Sequence, residues 1–190
     1  MKASGIEIEI LVNDAGQGEY GEFINTDLPR ELDIIRLNIN AYVVLTKLFL
    51  KAMVKNNSDK ILNVGSIAGE APGPLHSVYH GTKAFVNSWS EAINNELQDT
   101  NITVTILLPG ATDTDFFNKA NMTQSKIVQE GNLGDAAKVA KDGYAALMQG
   151  DDKVISGFKN KVQVTMGNIL PDKTAAENMR KQQEPTGQED

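Results

Sequence analysis

The stretch ILVNDAGQGEYG, residues 10–21, begins as an apolar run and breaks into glycines. From Gly16 to Gly21 it has the GxGxxG spacing of a loop that cradles a pyrophosphate. Such a loop turns a strand directly into a helix, whose first amides meet the phosphate. Here the next helical pattern begins only at Leu28, and the acid expected about 20 residues on is missing, because that spacing falls near Tyr42. We therefore interpret the stretch as a strand followed by a glycine-rich loop.

Outward from this stretch, strand patterns alternate with helical patterns. Short apolar or alternating runs predict strands at 6–12, 60–66, 102–109 and 153–157. Longer periodic segments predict helices at 28–55, 77–97, 135–148 and 171–181, with a short one at 115–121. The alternation predicts an α/β fold with a parallel sheet, and the apolar middle strands indicate that helices cover both of its faces.

The composition describes one domain and limits its partners. The 190 residues carry a net charge of −7, which disfavours nucleic acid or an anionic membrane surface as the main partner. There is no cysteine and no clustered metal-ligand motif, so no metal site is predicted. No signal sequence and no apolar run near the ~20 residues of a membrane span are seen, which predicts a cytoplasmic protein. The domain is expected at 1–181, with a polar, disordered tail at 182–190.

The strongest chemical signal is SVYHGTK, residues 77–83. Tyr79 and Lys83 are four residues apart on a predicted helix and therefore share one face. A lysine cation favours the phenolate, so it would lower the pKa of the tyrosine and suit the pair to proton transfer. Taken alone the spacing is common, and a surface lysine beside a half-buried tyrosine is the plainer interpretation.

Other polar residues gather at the predicted strand ends. Ser66 ends the strand before that helix, and in α/β folds strand ends and helix starts surround one crevice. Pro109 and Gly110 break the chain after the third strand, where Thr112 and Thr114 offer hydroxyl groups. Asn38 lies within the long helix, where it either has a buried role or simply faces solvent. Two histidines, His76 and His80, are expected at an exposed helix start, with substrate contact as the alternative.

Together these residues resemble the short-chain dehydrogenase/reductase family. LVNDAG is similar to the family's NNAG motif at a strand end, and PGATDT is similar to its loop at the nicotinamide end. Asn38, Ser66, Tyr79 and Lys83 fall where the family's catalytic tetrad falls, with Ser66 thirteen residues before Tyr79. The resemblance is dense over residues 6–117 and looser to about residue 179.

The resemblance implies an NAD(P)-dependent oxidoreductase that interconverts a carbonyl and a hydroxyl group on a small or apolar substrate. Tyr79 would be the general acid/base, Lys83 would lower its pKa, Ser66 would orient the substrate oxygen, and Asn38 would hold a water in a proton relay. The cofactor, NADP or NAD with NADP favoured, would contact Asn13, Ala15, Gly16, Tyr79, Lys83, Pro109, Gly110, Thr112 and Thr114. A homodimer or homotetramer is also implied, through the helices at 28–55 and 77–97.

The sequence departs from the family in two places. Asp14 stands where NNAG has its second asparagine, and an ionised aspartate cannot donate a hydrogen bond. The family's first βαβαβ half, with its glycine-rich pyrophosphate turn, is not in this sequence, so a Rossmann-like sheet lacking that half is expected. The strand at 6–12 would then be an exposed edge.

Two points remain open from the sequence. The alternative to an enzyme is a catalytically silent fragment or binding scaffold that keeps the tetrad but cannot hold the dinucleotide. The segment at 158–182, which mixes apolar and basic residues, could cover the substrate pocket, pack on a partner subunit, or touch a membrane surface weakly.

Overall fold

A computed structural model describes residues 7–167 and 169–187. Its sheet has four parallel strands: β1 (Ile10–Asn13), β2 (Lys60–Val64), β3 (Thr103–Leu108) and β4 (Lys153–Ile155). They lie in the order β1-β2-β3-β4, with Asn13 opposite Asn63 at the carboxyl end of β1. The predicted α/β class is confirmed. The first strand is shorter than predicted, and Ile6, where it was expected to begin, lies outside the described residues.

Eight helices are seen in the described parts of the chain. They are α1 (Leu28–Ile35), α2 (Ala41–Asn56), α3 (Ser77–Glu96), α4 (Phe116–Lys119), α5 (Lys126–Gln129), α6 (Ala136–Gln149), α7 (Phe158–Gly167) and α8 (Asp172–Gln183). A π-helical stretch, Arg36–Asn40, joins α1 to α2, so the predicted long helix is one rod with an altered middle. Its start is capped by Asp27, whose carboxylate accepts from the Arg30 amide at 3.2 Å.

The core lies on both faces of the sheet. On one face α2 and α3 pack against the strands through a cluster that includes Met53, Ile61 and Val104. On the other face Leu147 of α6 packs against Leu62 and Leu107. The two-sided cover predicted for the middle strands is thus present. β1 is different, because it is an edge strand of the described sheet, where 51% of Val12 is exposed.

The C-terminal region differs most from the sequence prediction. α7 occupies residues for which the sequence predicts neither a helix nor a strand. Its exposed side carries apolar residues, so it lacks the polar outer face that is usual for a surface helix. α8 continues to Gln183, two residues into the predicted polar tail, and that side chain is buried. Pro185 then forms a β-bridge with Ser125, so this part of the predicted tail is packed. Residues 188–190 lie outside the described residues.

One helical segment, Leu28–Asn56, is long and apolar enough to cross a membrane by length and composition. The sequence alone predicts no such span, since Lys47 and Lys51 interrupt the apolar run. In the structure Tyr42 and Met53 of this segment are buried against the sheet. A core helix of a globular domain passes the same two criteria, so they do not by themselves make the segment a membrane span.

Candidate active site

The site forms at the carboxyl edge of the sheet, where β2 and β3 end beside α3. The two chains stay paired beyond the strands, because the Gly65 amide donates to Leu107 and the Ile67 amide donates to Pro109. Ser66 therefore sits at a fixed place on this edge. Its Oγ accepts from the Ala68 amide at 3.0 Å and so begins the short 3₁₀ turn Ile67–Glu70.

Lys83 lies on the face of α3 that looks toward this edge. Its Nζ donates to the Val64 carbonyl at 2.7 Å and lies 5.9 Å from the centre of the Tyr79 ring. The side chain is buried, and burial lowers the pKa of Lys83 to about 8, while the negative charge of Asp14 opposes that shift. A lysine in this state can both hold a proton and release it near neutral pH.

Tyr79 is half-buried one helical turn before Lys83. Burial raises the pKa of its phenol to about 12, and the nearby Ser66 hydroxyl opposes the shift. The expectation that Lys83 brings the pKa of Tyr79 down is therefore not met in this structure. The reason is that loss of hydration disfavours the phenolate more than the surrounding groups stabilise it.

Asn38 is fully buried, which excludes the solvent-facing alternative. Its Nδ2 donates to the Gln17 carbonyl and to Thr82 Oγ1, and its Oδ1 accepts from the Gln17 amide, all at 2.9 Å. Both protons of Nδ2 are thus used, so at this side chain a relay water could only donate to Oδ1. Asn38 also lies in the π-helical stretch, and such stretches are frequent at functional sites.

The glycine-rich loop packs onto this set of residues. A Cβ on Gly16 would lie 3.5 Å from Lys83 Nζ and 3.7 Å from Asn38 Oδ1, so the bare backbone passes directly over both. A Cβ on Gly18 would collide with His76 Nε2. The helix that follows begins at Leu28, well after the loop. The glycines therefore allow close packing, and the loop does not have the strand-to-helix geometry of a phosphate loop.

A family model for the short chain dehydrogenase matches residues 2–125. The chain belongs to the short-chain dehydrogenase family. Very-long-chain 3-oxoacyl-CoA reductase of Coprinopsis cinerea is 38% identical over 103 residues, which cover 53% of this chain and 30% of that protein. Rat 17-beta-hydroxysteroid dehydrogenase type 3 is 34% identical over 127 residues, covering 64% of this chain and 41% of that protein. The chain thus spans less than half the length of these two relatives.

Among solved structures, a short-chain dehydrogenase from Sphingobium yanoikuyae in complex with NADPH is similar to this chain. The TM-score is 0.75 at 25% identity, and the match covers 88% of this chain and 68% of that structure. This likeness agrees with the Rossmann-like sheet predicted from the sequence, in a form that lacks part of the family fold.

The remaining predicted cofactor contacts of this chain are spread along the same edge. Asn13 is buried and donates to Thr46 Oγ1 and to Asn63 Oδ1, at 3.0 and 2.8 Å. Asn63 in turn donates to Ser90 Oγ at 2.8 Å, so a buried polar chain runs from α2 through β1 and β2 to α3. Asn13 therefore joins strands and helices together, and Ala15 beside it is exposed.

The predicted residues after β3 use their hydroxyl groups locally. Thr112 Oγ1 donates to the Gly110 carbonyl at 2.9 Å, and Thr114 Oγ1 accepts from the Phe116 amide at 3.3 Å. Pro109 and Gly110 lie half-buried on the edge beside Ser66. The loop after β3 thus has a fixed shape, with Thr114 exposed on it.

Asn87 is a site residue that the sequence analysis missed. Its Nδ2 donates to the Ser66 carbonyl at 3.0 Å and to Glu70 Oε1 at 2.6 Å, and its Oδ1 accepts from the Ser66 amide at 3.4 Å. Asn87 therefore holds the backbone of the serine from both sides. The sequence does contain an indication of this role. Tyr79, Lys83 and Asn87 follow one another at intervals of four residues, so they share one face of the helix.

Both histidines are buried, contrary to the expectation of an exposed helix start. The His76 ring stacks on the Tyr79 ring with 4.5 Å between centres and 13° between planes. Burial, assisted by His80, lowers the pKa of His76 to about 3. His80 Nδ1 bonds the Ala71 carbonyl, so its Nε2 accepts from Gln183 Nε2 at 2.9 Å. The residue before His76, Leu75, has a φ of 67°, a left-handed conformation that is rare for leucine.

Proposed function

We propose that this chain carries the proton-transfer residues of an NAD(P)-dependent ketone reductase. The observation that carries the proposal is the convergence of Ser66, Tyr79 and Lys83 on one buried edge of the sheet, with the lysine 5.9 Å from the tyrosine ring. Tyr79 and Lys83 have shifted pKa values, and the Ser66 backbone is held in place. Such a group in one crevice is more typical of a catalytic site than of a purely structural cluster.

The proton is donated by the Tyr79 phenol to the carbonyl oxygen of the substrate. The phenol is protonated at neutral pH, as a proton donor to a ketone has to be, and burial raises its pKa further, to about 12. The Ser66 hydroxyl orients the same oxygen. Lys83, as an ammonium group beside the ring, stabilises the phenolate that the donation leaves.

A nicotinamide dinucleotide fits beside these residues. The Gly16 backbone passes beside Lys83 Nζ and Asn38 Oδ1, and because it carries no side chain, nothing at this position stands between the lysine and a ribose hydroxyl. When bound, the cofactor supplies the hydride that adds to the carbonyl carbon. The NADPH complex of the Sphingobium yanoikuyae enzyme supports this class of cofactor. Pro109, Gly110 and Thr112 would line its nicotinamide end.

The substrate is an apolar ketone. Beyond Tyr79 the crevice is bordered by Phe116, 5.0 Å from the tyrosine ring, and by a cluster that contains Phe117 and Met122. The relatives' names, a very-long-chain 3-oxoacyl-CoA reductase and a 17-beta-hydroxysteroid dehydrogenase, support a long acyl or steroid skeleton. A homodimer or homotetramer through α2 and α3 is part of the proposal, since Leu48 and Phe85 expose apolar surface on those helices.

The test separates an enzyme from a silent scaffold. The purified chain is titrated with NADPH and with NADH by fluorescence, and then given a 3-oxoacyl thioester or a steroid ketone while NADPH absorbance is followed. An enzyme binds and turns over, and Tyr79→Phe lowers turnover by about 100-fold or more without weakening cofactor binding. Binding of neither dinucleotide would leave the scaffold as the function of this chain. Full activity in Tyr79→Phe would refute the role of the phenol.

A further inference from the structure

α7 is a helix whose outer side is apolar. Phe158 is 81% exposed, Val162 41% and Met166 63%, at intervals of four residues, and Ile169 is 79% exposed in the turn that follows. These side chains, with the exposed Leu170, are called here the α7 stripe. The half-buried positions Asn160, Val164 and Gly167 lie on the opposite side. At about 100° per residue the two sets occupy opposite faces, so the helix packs through one face and presents apolar side chains on the other.

Lysines flank the α7 stripe on both sides. On a helical projection Lys159 falls at one border of the stripe and Lys161 at the other, and both are exposed. Lys173 follows at the start of α8, where it is also exposed. An apolar stripe bordered by lysines is the arrangement by which a helix lies in the plane of a lipid surface, with the ammonium groups at the level of the headgroups.

The charge of this region is opposite to that of the chain. Residues 158–181 hold five of the 18 basic residues and two of the 25 acidic residues, although the chain as a whole has a charge of −7. The negative net charge disfavours an anionic partner over most of the surface. Residues 158–181 are an exception, because basic residues outnumber acidic ones there. We propose that the α7 stripe docks on an anionic lipid surface, with Lys159 and Lys161 against the headgroups.

Docking by this face would place the active site close to the lipid. Asn160, on the inner side of α7, donates to the Ser156 carbonyl at 2.6 Å and fills the space beside Gly110. α7 also packs against the turn Ile67–Glu70, which follows Ser66. The lipid-facing helix is thus directly attached to both loops of the crevice, and an apolar molecule dissolved in the bilayer has a short path to it.

The test measures partition of the purified chain onto vesicles by sedimentation. Vesicles of phosphatidylcholine alone are compared with vesicles of equal parts phosphatidylcholine and phosphatidylglycerol. We expect binding to the anionic vesicles. The combined variant Lys159→Gln and Lys161→Gln should lower the partition coefficient about 25-fold, at about fivefold per lysine. The combined variant Phe158→Ser, Val162→Ser and Met166→Ser should lower it by more than about tenfold.

A matched control uses exposed apolar residues elsewhere. Tyr144→Ser with Met148→Ser changes two α6 side chains of similar exposure, 59% and 47%, and should leave partition unchanged. Circular dichroism of each variant verifies that it is folded. The proposal is overturned if the chain does not bind anionic vesicles, or if the serine variant of the stripe binds as well as the parent. It is also overturned if light scattering finds a dimer that the stripe variant abolishes and the control variant does not. The stripe would then be the interface between two copies of this chain.

Discussion

Acidification should destabilise the fold through His76. The ring is 3% exposed, stacked on Tyr79, and its Nε2 has no partner among the described residues. An imidazolium at this position would be a buried charge with no counter-charge beside it. The folded protein therefore resists protonation at His76, whereas the unfolded chain accepts the proton readily.

The magnitude follows from the two pKa values. Burial holds the pKa of His76 at about 3, against 6.5 for an ordinary histidine. Because the folded value is the lower one, the stabilising contribution is complete above pH 6.5 and is lost as the pH falls toward 3. Between pH 7 and pH 5 the loss from this one residue is about 2 kcal/mol. Burial also lowers the pKa of His80, which adds to the loss in the same direction.

The assay is urea unfolding of the parent and of His76→Gln at several pH values between 7 and 5. The variant is expected to lose less free energy of unfolding over this range than the parent, by about 2 kcal/mol. His76 and His80 are the two histidines of the sequence, so His76→Gln with His80→Gln should remove the histidine contribution entirely. Carboxylates with shifted pKa values are common to all variants and cancel in the difference. An unchanged pH dependence in His76→Gln would refute the reasoning.

Three further outcomes are expected. Asn87→Asp places a carboxylate against Glu70, so the free energy of unfolding should fall as the pH rises from 5 to 8, and Glu70→Gln in the same chain should restore it. Gly18→Ala should cost about 1–3 kcal/mol, measured by urea unfolding, and less in a His76→Ala background, where the ring no longer occupies the space. Asn38→Leu removes two hydrogen bonds to the Gln17 backbone and one to Thr82 Oγ1 and should cost about 2–4 kcal/mol; a loss below about 1 kcal/mol would contradict the importance of those bonds.

The elements predicted well are those fixed by local pattern. Each of these patterns lies within one continuous stretch of chain: the apolar runs of β2 and β3 and the periodic pattern of α3. All of them arise because apolar residues are buried against neighbouring elements, so the pattern in the sequence indicates the element directly. α7 was missed because its inner face carries Asn160 and Gly167 while its outer face carries Phe158 and Met166. A periodicity argument assumes that the apolar face is the buried one, and here that assumption fails.

For the candidate site, too, the sequence predicts what depends on local spacing and misses what depends on distant residues. The spacing of Tyr79 and Lys83 is local, so the sequence alone indicates that they share a face. The pKa of Tyr79 depends on how completely the folded chain removes water from the phenol. The burial of the phenol cannot be predicted from the residues next to it in sequence. Burial of His76 likewise depends on Gly18, which lies 58 residues earlier in the chain.

The glycine loop shows how a local motif can mislead when its partners are distant. The spacing from Gly16 to Gly21 favours a pyrophosphate site, yet each of the first two glycines is explained by what its missing side chain would meet. Gly16 leaves the backbone in contact with Lys83 and Asn38, and Gly18 makes room for the ring stacked on Tyr79. A side chain at Gly18 would collide with the ring stacked on Tyr79, whereas a methyl group at Gly16 would only touch Lys83 and Asn38 at ordinary contact distance. The motif is therefore still tied to the candidate site, because Gly16 lies beside the lysine and Gly18 lies beside the histidine ring that stacks on the tyrosine.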